Sequence, residues 1–399
     1  MESSVDKGYI TWLSEACRAR VVHTQMIQPL WSGYGACFRA KLDYSAPVGH
    51  KEEHRLEQDS TGYGVATNSK NSEFYSIAPG KRFTHVVVKC ASPPPNLAHP
   101  RGWNGQRSDE RKRRSFRVEN YFYDKVQWLT TDRCRTATCV SHAQKGTSTL
   151  LVMEDLAHSG FTHTSMSLSP DNAKTVLKWL AHFHARFLNK EAVEKNRDTN
   201  LWHEGTYWHL STREDEYQAM PESLLKQNAQ AISNRLSSAR YQTLVHGDAK
   251  VANFCFTADF SSCAAVDFQY VGYGVGVKDV AYFLGSALTT QEQQEHREAL
   301  LDTYFNELEI ALLARLSEND HHCDFTHSDG SLNNDAHTHN DTFTHTDVVQ
   351  VIKEWRDLYT FACADFYRFL AGWSPEHWKI DQELQYQTDS ALVKLSKEV

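Results

Sequence analysis

Apolar residues change their spacing several times along the chain, and each change marks an element. Ile10, Leu13, Ala16 and Val21-Val22 give residues 1–25 an amphipathic character that predicts a helix ahead of the first strand. From Met26 to Leu42 the pattern reads strand, tight turn, strand, with Ser32-Gly33-Tyr34-Gly35-Ala36 at the turn. Residues 45–81 are polar, rich in Gly, Ser, Asn and charge, and hold no period, so they read as an insertion between strands. Phe83 to Cys90 is β-branched and apolar up to a single lysine, Lys89, which suits a buried strand.

Ser108 is placed to cap a helix whose first turn carries Asp109 and Glu110 and whose apolar faces hold Phe116, Tyr121, Phe122, Tyr123 and Val126. Strands near Ala137–Val140 and Thr149–Met153 lead into Glu154-Asp155-Leu156. Ser169-Pro170 opens a long helix in which Ala173, Val176, Leu177, Leu180, Phe183 and Phe187 recur at helical spacing; His182 and His184 on it read as packed or solvated rather than catalytic. Residues 189–240 carry mixed helical signals, and most of Trp202, Tyr207, Trp208 and Tyr217 are expected in the core. Asp279 stands before an apolar helical start, and Val348–Gly372 reads as a helix with Val351, Trp355, Leu358, Phe361, Ala362 and Phe366 on one side. Between them, segment 317–347 interleaves His321, His322, His327, His337, His339 and His345 with polar residues. It has no HExxH or paired-cysteine order, and so reads as a mobile insertion rather than a metal site.

Composition narrows the classes. With 399 residues, 40% of them hydrophobic, the chain is long enough for two lobes. A net charge of −8 gives no support for a nucleic-acid surface, and the short run Arg111-Lys112-Arg113-Arg114 beside Asp109 and Glu110 reads as a solvated helix face. Nine scattered cysteines, an odd total, argue against a disulfide framework and fit a reducing compartment. No stretch approaches the apolar run of about 20 residues that crosses a bilayer, so a cytoplasmic enzyme without a membrane partner is expected.

The chemistry concentrates in Leu244 to Gln269, LVHGDAKVANFCFTADFSSCAAVDFQ. His246-Gly247-Asp248 opens a turn, Asn253 follows Asp248 by five residues, and a hairpin-like pair of apolar segments carries the chain to Asp267. Phosphoryl transfer asks the protein mainly to orient a hydroxyl and hold a cation against phosphates. Asp248 suits the hydroxyl proton, and Asn253 and Asp267 are hard oxygen ligands of the kind Mg2+ prefers. The kinase catalytic loop has the same Asp-to-Asn spacing and a downstream Asp-Phe pair.

HGDAKVAN followed by VDFQ resembles the kinase-like fold of aminoglycoside phosphotransferases and choline kinases, and DFQ is most similar to their ecdysteroid-kinase-like branch. The resemblance implies a bilobal, protein-kinase-like α+β fold. Its antiparallel-sheet N-lobe would cover residues 1–153, with insertion 45–81, and its mainly helical C-lobe residues 154–399, with insertion 317–347. It also implies ATP and Mg2+ as cofactors and a small-molecule hydroxyl as acceptor. By the same resemblance Ser32, Gly33, Tyr34 and Gly35 cover the nucleotide phosphates, although the third glycine of GxGxxG is missing; taken alone, an ordinary hairpin turn explains them as well. Lys89 binds those phosphates, with snorkelling from a strand end as the plain alternative. Glu119 holds Lys89, with Glu110 as competitor, and Glu154 to Leu156 is the connector at which adenine is bound. Asp279 braces the catalytic loop or caps its helix, and Lys250 contacts the transferred phosphate or faces solvent. The C-terminal region supplies the acceptor pocket, with Asp365, Tyr367 and Trp373 as candidates.

Two rivals stay open on sequence. One is a choline- or aminoglycoside-type kinase with a cationic acceptor; the other is a catalytically silent nucleotide-binding module, against which the set Lys89, Asp248, Asn253 and Asp267 argues. The oligomeric state is not legible.

Overall fold

Strand alternation and two helices build the first part of the molecule. The computed structural model describes residues 5–30, 33–45, 57–58, 64–68, 73–77, 82–93, 105–189, 198–317 and 343–398. The chain divides into two compact units: Met1–Leu129, Thr136–His163 and Ala264–Val266 form one, and Thr130–Arg135, Thr164–Cys263 and Asp267–Val399 the other.

In the first unit, α1 (Lys7–Cys17) begins at Asp6, whose Oδ1 accepts from Gly8 N at 2.7 Å, and ends where Arg18 enters the left-handed region at φ 49°. The helix expected over residues 1–25 is therefore shorter, because that left-handed residue stops it. Val21 and Val22 belong instead to β1 (Arg20–Leu30), paired with β2 (Gly35–Asp43). Strands β3 (Glu57–Gln58), β4 (Gly64–Asn68), β5 (Glu73–Ile77), β6 (His85–Ala91), β7 (Cys139–Lys145) and β8 (Ser148–Glu154) complete one sheet in the order β1-β2-β6-β8-β7-β5-β4-β3, every pairing antiparallel. Three of these strands fall in the polar stretch 45–81. Backbone pairing does not require an apolar face, so a segment without period still extends a sheet; the rest of that stretch lies outside the described residues.

Ala36, Phe38, Ala40 and Leu42 of β2 and Val86, Val88 and Cys90 of β6 face one side, where Trp12, Leu13, Ala16 and Cys17 of α1 cover them. Helix α2 (Gly105–Tyr121) starts ahead of Ser108, which is thus inside the helix and not its cap. A Gln106 Nε2 to Glu110 Oε1 hydrogen bond of 3.1 Å, one turn apart, supports the extra residues.

Past β9 (His163–Thr164), the second unit is mainly helical: α3 (Pro170–Arg186), α4 (Glu214–Ala219), α5 (Leu224–Gln227), α6 (Ala229–Ser237), α7 (Val277–Ala287), α8 (Thr290–Ser317), α9 (His345–Trp373) and α10 (Gln382–Glu398). Three short strands lie among them, β10 (Thr243–Val245), β11 (Phe254–Phe256) and β13 (Gly272–Gly274), with β10 and β13 antiparallel partners, while β12 (Cys263–Ala265) has Ala264 and Ala265 in the first unit. As its sequence predicts, α3 is capped by Ser169, whose Oγ accepts from Asn172 N at 3.2 Å, and Pro170 is its first residue. Helix α9 begins three residues earlier than the apolar pattern, because Thr344 and Asp347 form a reciprocal capping box. Its stripe from Val351 to Phe366 is buried. His345 therefore belongs to α9, whereas His321, His322, His327, His337 and His339 lie outside the described residues. An antiparallel sheet followed by helices is the expected α+β class. Among the described residues no helix is long and apolar enough to cross a membrane.

Candidate active site

In the first unit β6 is hydrogen-bonded on both sides, with Lys89 opposite Cys37 of β2 and Leu151 of β8. Alternation turns Lys89 to the face opposite Val88 and Cys90. There α2 delivers Glu119, and Lys89 Nζ lies 2.8 Å from Oε1 and 2.7 Å from Oε2, both side chains almost sealed from water. Glu110 lies exposed on the same helix.

The turn before β2 is shaped by packing. Ser32 lies outside the described residues. Gly33 has φ 75° and open space around it, but Gly35, at φ 135°, would place a Cβ 2.0 Å from the Cys90 carbonyl oxygen, so only glycine lets β2 approach β6 there. Tyr34 turns inward: its hydroxyl donates to Asp109 of α2, and burial together with that carboxylate pushes its pKa up. At the end of β8, Glu154 is buried and accepts from Thr138 N at 3.0 Å and from Ser159 Oγ. Leu156, also buried, starts a single 3₁₀ turn capped by Asp155, whose Oδ1 accepts from Ala157 N at 3.2 Å.

In the second unit Asp248, Lys250 and Asn253 share one loop. Asp248 Oδ2 accepts from Lys250 Nζ at 3.0 Å and from Asn253 Nδ2 at 3.2 Å, and the same Nδ2 donates to the Asp248 carbonyl at 2.8 Å. The loop is fixed from below by Asp279, on the first turn of α7 and fully buried. Its Oδ2 accepts from His246 N at 2.6 Å and its Oδ1 from Gly247 N at 3.0 Å. This carboxylate therefore braces the loop and makes no helix cap. Gly247 is required: at φ 80° its added Cβ would stand 2.0 Å from the Tyr270 carbonyl oxygen. Asp267 holds φ 70°, an uncommon conformation for a residue with a side chain and one that concentrates at functional sites. Burial raises the pKa of Asp248; Lys250 opposes the rise and the Asp267 charge adds to it.

The donor set fits a hard cation. With Asn253 Nδ2 committed to Asp248, Oδ1 is the atom of that amide a metal would meet, and Asp267 is near enough for its charge to act on Asp248. Among the described residues no group of three or more His, Cys, Asp or Glu is arranged for a metal. A two-residue oxygen set is what Mg2+ takes when substrate phosphates complete its shell.

Several neighbours of this loop were not singled out from sequence. His184, read as packed, is fully buried, with Nε2 3.2 Å from Asp279 Oδ2 and Nδ1 2.8 Å from the Tyr304 hydroxyl, so it backs the bracing carboxylate. Thr206 has φ 94°, a strained conformation for a β-branched residue, and its N donates to the Tyr270 carbonyl at 3.2 Å while Tyr207 N donates to the Gly247 carbonyl at 3.1 Å. Tyr282 of α7 lies near Asp248, whose charge raises its pKa further after burial, and its hydroxyl accepts from Tyr207 at 3.3 Å. These partners are remote in sequence, and no local spacing announces them.

The three acceptor candidates separate. Asp365 is buried: its Oδ1 accepts from Arg368 Nη2 at 2.9 Å, and Oδ2 lies 3.6 Å from Lys278 Nζ. Tyr367 is partly buried and interacts with Gln385 and Asp389 of α10. Trp373 stacks on Phe369 at 5.7 Å and packs on the aromatic cluster that includes Trp208, Tyr282 and Phe366.

Among solved structures, similarity is found to an amicoumacin kinase bound to AMP-PNP, Ca2+ and Ami (11% identity, 86% of this chain and 90% of that one, TM-score 0.38). It is also found to a choline kinase from Streptococcus pneumoniae (12%, 86% and 93%, 0.33) and an ethanolamine kinase from Plasmodium vivax (11%, 83% and 82%, 0.35). No curated protein sequence matches the chain. The model of the ecdysteroid kinase-like family matches residues 111–237 and 206–318, together more than half of the sequence. The chain belongs to the ecdysteroid kinase-like family.

Proposed function

We propose that the chain transfers the terminal phosphoryl group of ATP to a hydroxyl of a small molecule. The acceptor oxygen bonds to phosphorus, the bond to the ADP oxygen breaks, and the hydroxyl proton passes to Asp248. The observation that supports this most is the Asp248–Asn253 pairing: one amide group holds the carboxylate that would take the proton and keeps its own oxygen for a cation. Lys250, 3.0 Å from Asp248, would follow the transferred phosphate, and Asp279 keeps the loop rigid. Lys89, held by Glu119, contacts nucleotide phosphates, with Gly33 to Gly35 covering them and the backbone from Glu154 to Leu156 taking the adenine. Mg2+, held by Asn253 and Asp267, would neutralise charge on the phosphates. Of the acceptor candidates, Trp373, on the aromatic cluster that includes Tyr282, would meet substrate, whereas Asp365 holds Arg368 and Lys278.

The test is ADP release over a panel of hydroxylated metabolites, with Mg2+ and with chelator. Turnover of at least one alcohol that stops on chelation and in Asp248→Asn is expected. Full activity in Asp248→Asn overturns the assignment.

A further inference from the structure

A positive charge already occupies the aromatic surface beside Asp248. Lys379 follows α9, in a loop fixed by His377 N to the Ser374 carbonyl and by Ile380 N to the His377 carbonyl, each 2.9 Å, and by Lys379 N to His377 Nδ1 at 3.2 Å. Its Nζ stands 4.4 Å from the ring centroid of Tyr282 and 5.8 Å from that of Phe366, with Trp378 at 5.5 Å. The Tyr282 hydroxyl accepts from Tyr207 at 3.3 Å, and Tyr207 N donates to the carbonyl of Gly247, the residue before Asp248. Among the described residues no carboxylate lies within ion-pair distance of this ammonium. Burial lowers its pKa to about 8; the Asp248 charge works against that fall and Lys250 adds to it, so all three groups sense one another. The Asp248 carboxylate is thus flanked by two lysines of different kinds. Lys250 is bound to it, whereas Lys379 rests on aromatic faces.

We propose that Lys379 sets acceptor specificity: its ammonium fills the cation position of the aromatic wall, so the acceptor is an oxygen-rich alcohol without positive charge, and cationic amino alcohols are refused. Aromatic faces attract one cation well, and a second cation brought to the same faces meets like charge at short range. An ammonium on an apolar wall instead donates to a hydroxyl, carbonyl or carboxylate oxygen of the acceptor, and refusal of the wrong charge is as effective a source of selectivity as attraction of the right one. The inference rests on the phosphotransferase reading above, and the experiment separates the two.

A matched acceptor set shares one cyclohexane skeleton with a hydroxymethyl group and, opposite it, a hydroxyl, a carboxylate or an amine. Wild type is expected to use the hydroxyl and carboxylate forms with kcat/KM about tenfold or more above the amine, and Lys379→Glu to reverse that order. Equal or better use of the amine by wild type, or an unchanged order in Lys379→Glu, overturns the proposal. A second arm needs no turnover: tetramethylammonium, followed by indole fluorescence, should bind Lys379→Ala and Lys379→Met but not wild type, with unchanged thermal midpoints as the folding control. Equal binding to all three proteins, or binding to none, overturns it as well. Discrimination of tetramethylammonium with no ADP release from any alcohol retires the phosphotransferase reading and leaves the cation position standing.

Discussion

The lysine–glutamate pair of the first unit and the aspartate cluster of the second meet burial in opposite ways. Lys89 and Glu119 are both nearly sealed, and at 2.7 Å their opposite charges satisfy each other. Asp248 is as well buried, yet the carboxylate of Asp267 is among its neighbours, and burial and that like charge push its pKa up against the pull of Lys250. One region holds a charge still; the other keeps a carboxylate unsettled, which suits a group that must take a proton.

Five measurements test that contrast, beginning with the largest effect. Asp248→Ala should lower turnover about 10³-fold while nucleotide affinity, measured by fluorescence titration, stays put; a parallel loss of affinity would merge the two regions into one role. Lys89→Ala should cost about 3–5 kcal/mol in urea denaturation, because it strands Glu119 in the interior, and Lys89→Met with Glu119→Leu should recover much of it. A neutral Lys89→Ala would break the picture of a charge held by its partner. Asp279→Ala, which leaves the His246 and Gly247 amides and His184 without their acceptor, should cost about 3 kcal/mol and reduce turnover with it.

The smallest effects concern protons. In the proposed mechanism Asp248 acts ionised, so kcat/KM should fall as pH drops through its pKa, with the acid limb above the ordinary carboxylate value of about 4. Lys250→Met should move that limb further up, since the Lys250 charge lowers the pKa. The sign for stability is the reverse of a salt-bridged acid: a raised folded pKa favours folding only when the group is protonated, and that contribution is lost as pH rises through it. Asp248→Asn should therefore melt at or above wild type at neutral pH, with the difference closing in acid. A large drop in its melting temperature would show that Asp248 is a structural ion-pair partner like Lys89.

Features set by short-range rules were readable in advance. The five-residue step from Asp248 to Asn253 fits within one loop, strand alternation turns Lys89 away from Val88, and Ser169-Pro170 announces α3 by capping alone. Short-range rules also misled where a second local interaction outweighed the first. The Gln106–Glu110 contact extends α2 past the apparent cap at Ser108, and the left-handed Arg18 cuts α1 short of Val21. What could not be read is what packing assembles from afar. His184 reaches Asp279 across 95 residues, and Lys379 reaches the Tyr282 ring from a different element. No periodicity carries such information, since it arises only when helices already formed settle against one another.

The pairing of β2, β6 and β8 acts as a ruler. Lys89 is fixed in a row that runs through Cys37 and Leu151, and a slip of one residue in β6 would turn its side chain into the α1-covered core. Sequence drift in these strands is thus free to exchange one apolar residue for another but not to change their length. Insertions and deletions in homologues should collect in the segments that join the strands, where the count of residues is not measured against a neighbour.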